Sequence, residues 1–467
     1  MGVLTQLRAA VSVVVFGVAL TGFAAQPVQS ETLADALASA YRNSNLLEQN
    51  RALLRATDED AQQAIAAIGP VVEFVSTALL TTNNAPEYRL SFALSATATL
   101  FDFGRGRLAI DAAQEQILSA RAGLLTVEQN VLFGAAQAYL SLFSERQTVD
   151  LQRNSVSVIE EQLRAARERF ELGDSTRTDV AIAQARLAAA RSGLAAAEGN
   201  AAVAREQYNL VVGRYPGGLR QPPRLPRLPS SLAAAQDLAR RYHPAITQSQ
   251  HQVNAADIAT EIAGTQRYGT ATGSLTAQNQ TTRIAPFAAT TSSGLTATMR
   301  YAVPIYNGGR LQSGERRAVA MGQAQRAALH QMVATVQQAV AANWAQLQVA
   351  RARLSAGDLQ IEASLSAYNA VRAEVELGSR TTLDLLNAEQ ELLDARSSHI
   401  QASTSVHIAA YALLNSMGQM TVSALGLGIP TYDVEAYSSA LRREPPAETP
   451  SEQGRRLDGI MGRYITR

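Results

Sequence analysis

Glu171-Leu172-Gly173-Asp174-Ser175-Thr176-Arg177-Thr178-Asp179 recurs 205 residues later as Glu376-Leu377-Gly378-Ser379-Arg380-Thr381-Thr382-Leu383-Asp384. Each copy reads as a helix end, a tight turn and a helix start. Gly173 and Gly378 suit the left-handed position just past a helix C-terminus, where a Cβ is penalised. Thr176 and Thr381 stand three residues before Asp179 and Asp384, the spacing of a capping box. Each copy is therefore the predicted tip of a helical hairpin, and the chain holds two.

The repetition extends outward from the tips. Leu100-Phe101-Asp102-Phe103-Gly104-Arg105 matches Ile305-Tyr306-Asn307-Gly308-Gly309-Arg310, and the offset of 205 holds through Gly418. Upstream, 232–266 parallels 32–68 at an offset of 199, which sets Asp257 on Asp58. Such self-similarity marks an internal duplication.

Between these anchors the pattern is helical. Leu142, Val149, Val156, Leu163 and Phe170 fall seven apart, as do Val180, Leu187, Leu194, Ala201 and Tyr208 on the return helix. Ala183, Ala190, Ala197 and Ala204 form a second row. The later copy repeats this with Leu347, Leu354, Ile361, Tyr368 and Val375, and with Ala388, Ala395, Ala402 and Ala409. A heptad with Ala at one seam position predicts closely packed coiled-coil helices. At 1.5 Å per residue, the helix over 103–172 is about 100 Å long. Those over 32–68 and 176–212 are each about 55 Å, so two short helices match one long one.

Two stretches switch to period two. In Tyr88 to Leu100, Leu90, Phe92, Leu94, Ala96 and Ala98 share one side, opposite Arg89, Ser91, Ser95, Thr97 and Thr99. With 71–82 and the turn Asn83-Asn84-Ala85-Pro86 this predicts a β-hairpin over 71–100. A second, over 270–303, sets Leu295, Ala297, Met299 and Tyr301 against Thr296, Thr298 and Arg300. A hairpin lying on a soluble core shares that alternation. A Ser/Thr face is also what a strand lining a water-filled barrel presents. Two hairpins give four strands, too few to close a barrel within one chain.

The expected organisation is a signal peptide over 1–30, a first repeat over 31–213, a Pro-rich linker over 214–231, a second repeat over 232–418 and an irregular segment with a polar tail over 419–467. Arg8, the apolar stretch Ala10 to Ala25 and Val28-Gln29-Ser30 carry the signal-peptide reading. A membrane anchor is the alternative, although about 16 apolar residues are short for a span. The chain has 467 residues, no Cys and a net charge of +1. That excludes thiolate catalysis and lipidation at Cys, and argues against nucleic-acid binding. His243, His251, His330, His399 and His407 show no metal-ligand spacing, and no nucleophile or phosphate-loop signature occurs. No catalytic residue, metal or cofactor is expected.

Over about 31–430 the chain resembles the TolC family of outer-membrane efflux and secretion ducts. The likeness rests on the duplication, the strand–long helix–Gly tip–helix order, and Leu377-Gly378-Ser379-Arg380-Thr381-Thr382-Leu383-Asp384, which is similar to the family's second tip. The resemblance implies a mainly α fold with a β-barrel part. Duplicated hairpins of a homotrimer would form a periplasmic α-barrel, topped by a twelve-stranded outer-membrane β-barrel with four strands per chain. It also implies docking to a periplasmic adaptor (membrane fusion protein) and an inner-membrane ABC or RND transporter, with outer-membrane lipid around the barrel. By position, Arg380 would bond Thr178 and Asp179 of a facing hairpin and hold the periplasmic end shut. Asp384 would face the lumen in an acidic ring. Two positions depart: the family's second lumenal acid falls on Asn387, and its tip aromatic on Val375. Leu172, Gly173, Leu377 and Gly378 would be the adaptor-docking tips. Read without the family, Asp179 and Asp384 are helix caps, and the two roles can coexist. The competing function is a periplasmic coiled-coil scaffold or adaptor without a pore. It is disfavoured because such a chain usually carries one hairpin between compact β-domains.

Overall fold

The computed structural model describes residues 30–82, 86–173, 176–284 and 287–441. The predicted signal peptide, except Ser30, and the polar tail lie outside the described residues. So do Asn83, Asn84 and Ala85 of the first hairpin turn, and Asp174 and Ser175 of the first tip.

Among the described residues the chain runs α1 (Leu33–Asn43), α2 (Asn45–Ala66), β1 (Val71–Thr81), β2 (Glu87–Phe101), α3 (Arg105–Glu171) and α4 (Arg177–Val212). The order then repeats as α5 (Leu232–Tyr242), α6 (Pro244–Thr265), β3 (Thr270–Ile284), β4 (Thr290–Ala302), α7 (Arg310–Glu376) and α8 (Thr382–Ser416), followed by the short α9 (Ala436–Leu441). The long helices α3 and α7 have 67 residues each.

The stretch 32–68, expected as one helix, is two. Ser44 turns extended, and its hydroxyl accepts from Leu47 N, starting α2 afresh. The second repeat breaks at the same register with other chemistry. His243 Nδ1 accepts from Ala245 N, and Pro244 supplies the first helical residue, where its missing N–H is no loss.

Each long helix begins at a left-handed glycine, Gly104 at φ 80° and Gly309 at φ 82°. Asp102 assists the first start by accepting from Gly104 N and Gly106 N. α3 packs along α4 on one side and along α1, α2 and α6 on others, and α7 packs along α8 in the same way. Leu142, Val149 and Leu163 are buried as the heptad requires, as are Ala183, Leu187, Ala197 and Tyr208. Phe170, last in its series, is exposed one turn from the tip.

The four strands form one antiparallel sheet in the order β1-β2-β3-β4. Over part of its length the register aligns like with like, although Phe92 lies between Ser76 and Asn279 and Leu79 opposite Arg89. Phe74, Leu94, Ala277 and Leu295 form a row on one face, beside Val72, Ala96, Leu275 and Ala297. The other face carries Glu73, Ser95, Thr276 and Thr296, then Thr77, Ser91, Gln280 and Ser292. The outer edges of β1 and β4 pair with no other described strand. No described helix is long and apolar enough to cross a membrane.

The main core lies where the irregular segments cross the repeats. It gathers Leu33 and Tyr41 of α1, Tyr139 of α3, Tyr208 of α4, Leu347 of α7, Leu413 of α8 and Met420. A smaller core lies nearer the tips, with Ile159, Leu163, Ala183, Leu187 and Leu386.

Candidate functional site at the helical tips

The two tips are built alike. Leu172 closes α3, and Gly173 follows at φ 87°; Leu377 closes α7, and Gly378 follows at φ 76°. Thr176 Oγ1 accepts from Asp179 N at 3.2 Å, while Asp179 Oδ2 accepts from Thr176 N at 3.0 Å. Thr381 and Asp384 repeat this with 3.2 and 3.1 Å. Each reciprocal cap satisfies orphan N–H groups at a helix start and contributes about 1 kcal/mol. Thr381's hydroxyl and N–H hold Asp384's carboxyl below the usual carboxylate range, with Arg380 adding a smaller push.

Leu172 is 78% exposed and Leu377 84%. Two leucines held outward on rigid turns are apolar surface that this chain leaves uncovered. Thr178 is exposed on the first turn of α4. Within its own chain Arg380 pairs through Nε with Glu374 Oε2 at 2.9 Å. Asn387, at the position of an expected lumenal acid, is exposed and accepts a hydrogen bond from Arg186 Nη2 at 2.9 Å. Val375, in place of an aromatic, is buried in the hairpin.

Arg186, and Leu386 in the smaller core, were not singled out from the sequence. Their partners lie in the other repeat, and no local pattern joins them. His399, on the second alanine seam, packs against Gly357 and bonds Asp358 Oδ1 at 2.9 Å. No described group of three or more His, Asp or Glu is arranged to hold a metal.

The family model for outer membrane efflux proteins matches residues 36–214 and 235–419, one match on each repeat. The chain belongs to the outer membrane efflux protein family. Outer membrane efflux protein BepC of Brucella suis biovar 1 is 34% identical over 439 residues, covering 93% of this chain and 94% of BepC. Protein CyaE of Bordetella pertussis is 29% identical over 332 residues, 70% of each chain. Alkaline protease secretion protein AprF of Pseudomonas aeruginosa is 26% identical over 298 residues, 61% of this chain and 60% of AprF. The fold is that of solved outer-membrane channels. CusC superposes with a TM-score of 0.73 at 18% identity, over 83% of this chain and 92% of that one. VceC of Vibrio cholerae gives 0.68 at 20% identity, over 83% and 96%.

This outer membrane efflux protein is thus an exit channel of the outer membrane, with its helices in the periplasm. The pore-free scaffold reading is set aside. Apolar rows on one face and Ser/Thr rows on the other are what a barrel strand presents to lipid and to water.

Proposed function

We propose that three copies form a passive duct carrying substrates from an inner-membrane transporter to the exterior. Four strands from each of three chains make twelve, enough to pair every open β1 and β4 edge around a closed ring. A periplasmic adaptor of the membrane fusion type joins the duct to its pump. That pump is an ABC exporter in type I secretion or an RND transporter in efflux. BepC is named for efflux and AprF for protease secretion, and a passive duct serves both kinds of cargo. One observation carries the reading: an open-edged sheet with one apolar and one Ser/Thr face stands on helices of 67 residues.

The tips are the gate. Arg380 keeps Glu374 on Nε and offers its other donors to Thr178 and Asp179 of a facing hairpin, a fork suited to a carboxylate. Asp384 supplies one carboxylate per chain to a cation-selecting ring, and Asn387 supplies none. Leu172-Gly173 and Leu377-Gly378 are where the adaptor docks.

Single-channel conductance of the purified protein in planar bilayers tests this, with Arg380→Ser beside wild type. The expected result is a small cation-preferring channel that conducts more after Arg380→Ser. An identical mutant removes the gate assignment, and a protein that never inserts removes the duct.

A further inference from the structure

The geometry points to Arg186 as a positioning residue of this gate: through Asn387 it clasps the two hairpins of one chain together near their tips. The inference rests on the duct reading above. Arg186 on α4 and Asn387 on α8 are 201 residues apart, and the bond between them is 2.9 Å long. The residue before Asn387, Leu386, is 3% exposed and seated in the first hairpin among Ile159, Leu163, Ala183 and Leu187. The joint therefore has two parts. An apolar knob sets how closely α8 approaches the first hairpin, and a charged hydrogen bond fixes its rotation. Parting the two hairpins must break the bond and withdraw the knob.

The joint is not a by-product of the duplication. The position equivalent to Arg186 is Glu391, and those equivalent to Leu386 and Asn387 are Ala181 and Ile182. The second repeat thus cannot make the reciprocal contact. Arg380 is proposed to reach a facing hairpin, whereas Arg186 is seen bonded within one chain.

The clasp also alters the field at the constriction. Asp384 and Asn387 are three apart on α8 and share a face. Arg186 is a permanent cation and Asn387 is neutral, so the pair adds one positive charge per chain near the tip, while the cation nearest in effect to the Asp384 carboxylate is Arg380. One cation per carboxylate weakens the attraction of the ring for cations.

The full chain is compared as wild type, Arg186→Ala, Arg186→Lys and Asn387→Asp. Conductance and ion preference are read in bilayers, and hydrogen exchange over 382–395 in detergent. Arg186→Ala should raise conductance and speed exchange by about two- to fivefold, as for loss of one exposed charged contact, with a shift toward cations. Arg186→Lys, which keeps the charge and a donor, should bring both back toward wild type. Asn387→Asp turns the bond into an ion pair and should conduct no more than wild type. If Arg186→Ala matches wild type in exchange and conductance, the clasp is wrong. If no variant forms a channel while Arg186→Ala speeds exchange, the duct reading fails and the clasp stands.

Discussion

Arg326 Nη2 lies 2.7 Å from Asp257 Oδ1, and the equivalent pair of the first repeat, Arg121 and Asp58, is parted. Arg121 instead reaches Glu435 Oε1 at 3.3 Å and Ser438 Oγ at 3.4 Å, beside and within α9. Tyr437 donates to Glu59 at 2.7 Å from the same short helix. Asp58 is left 1% exposed with neither carboxylate oxygen hydrogen-bonded. In the first repeat the C-terminal segment takes the arginine that its counterpart gives to Asp257.

Burial raises the Asp58 pKa above 3.8, and Arg121 offsets only part of that. The folded protein then holds the Asp58 proton longer than the unfolded chain does. Its contribution favours folding at acid pH and fades as pH rises from 3.8 through the raised value. Asp58→Asn should flatten that part of the stability profile. Melting temperatures of both proteins across mildly acidic pH check it, and parallel profiles would falsify the assignment.

Glu435→Ala should free Arg121 to return to Asp58, restoring the arrangement of Arg326 and Asp257. The acid-side dependence should then shrink, while Glu435→Ala in an Asp58→Asn background should change nothing further. A double-mutant cycle of melting temperatures measures that coupling.

Glu31 is the most heavily tied residue at the start of the described chain. Its carboxylate accepts from Tyr208 Oη at 2.6 Å and Arg214 Nη2 at 2.7 Å, and its backbone bonds Gly218, Arg220 and Tyr139. Glu31→Ala should cost about 2–3 kcal/mol, because it strands the buried Tyr208 hydroxyl and a charged hydrogen bond. Chemical denaturation reads this. The signal peptide expected over 1–30 would leave this residue in place, and amino-terminal sequencing of the exported protein, expected to begin no later than Glu31, tests that expectation.

The two faces of the sheet should respond differently to charge. Leu295→Arg, on the row shared with Leu94 and Ala277, should cost about 2–4 kcal/mol if it lies near the bilayer middle. Thr296→Arg, on the opposite face, should be tolerated and should reduce cation preference. Yield of protein in outer-membrane fractions separates the two.

At the second tip, Gly378 has open space around a Cβ but a φ of 76°. Gly378→Ala should cost about 1–2 kcal/mol from backbone strain alone, and Gly378→Asn less, since Asn visits this region. Protease nicking near 378 should rise from wild type through Gly378→Asn to Gly378→Ala.

Much of this molecule was legible in its sequence. The tips followed from Gly and Thr-x-x-Asp spacing, the strands from alternation, the seams from heptads and the duplication from two constant offsets. The break at Ser44 was not, because the helical period runs on through it and one side-chain cap decides the matter.

What the sequence determined by itself was everything set by neighbours a few residues apart: caps, turn glycines and periodicity. Only the tertiary structure decided that Arg186 holds Asn387, that Arg121 leaves Asp58 for Glu435, and that Tyr208 seats Glu31. Those partners lie 201, 314 and 177 residues apart. The reason is physical: a helix face offers each side chain several partners of similar chemistry. Which one it takes depends on how the two repeats and the C-terminal segment pack.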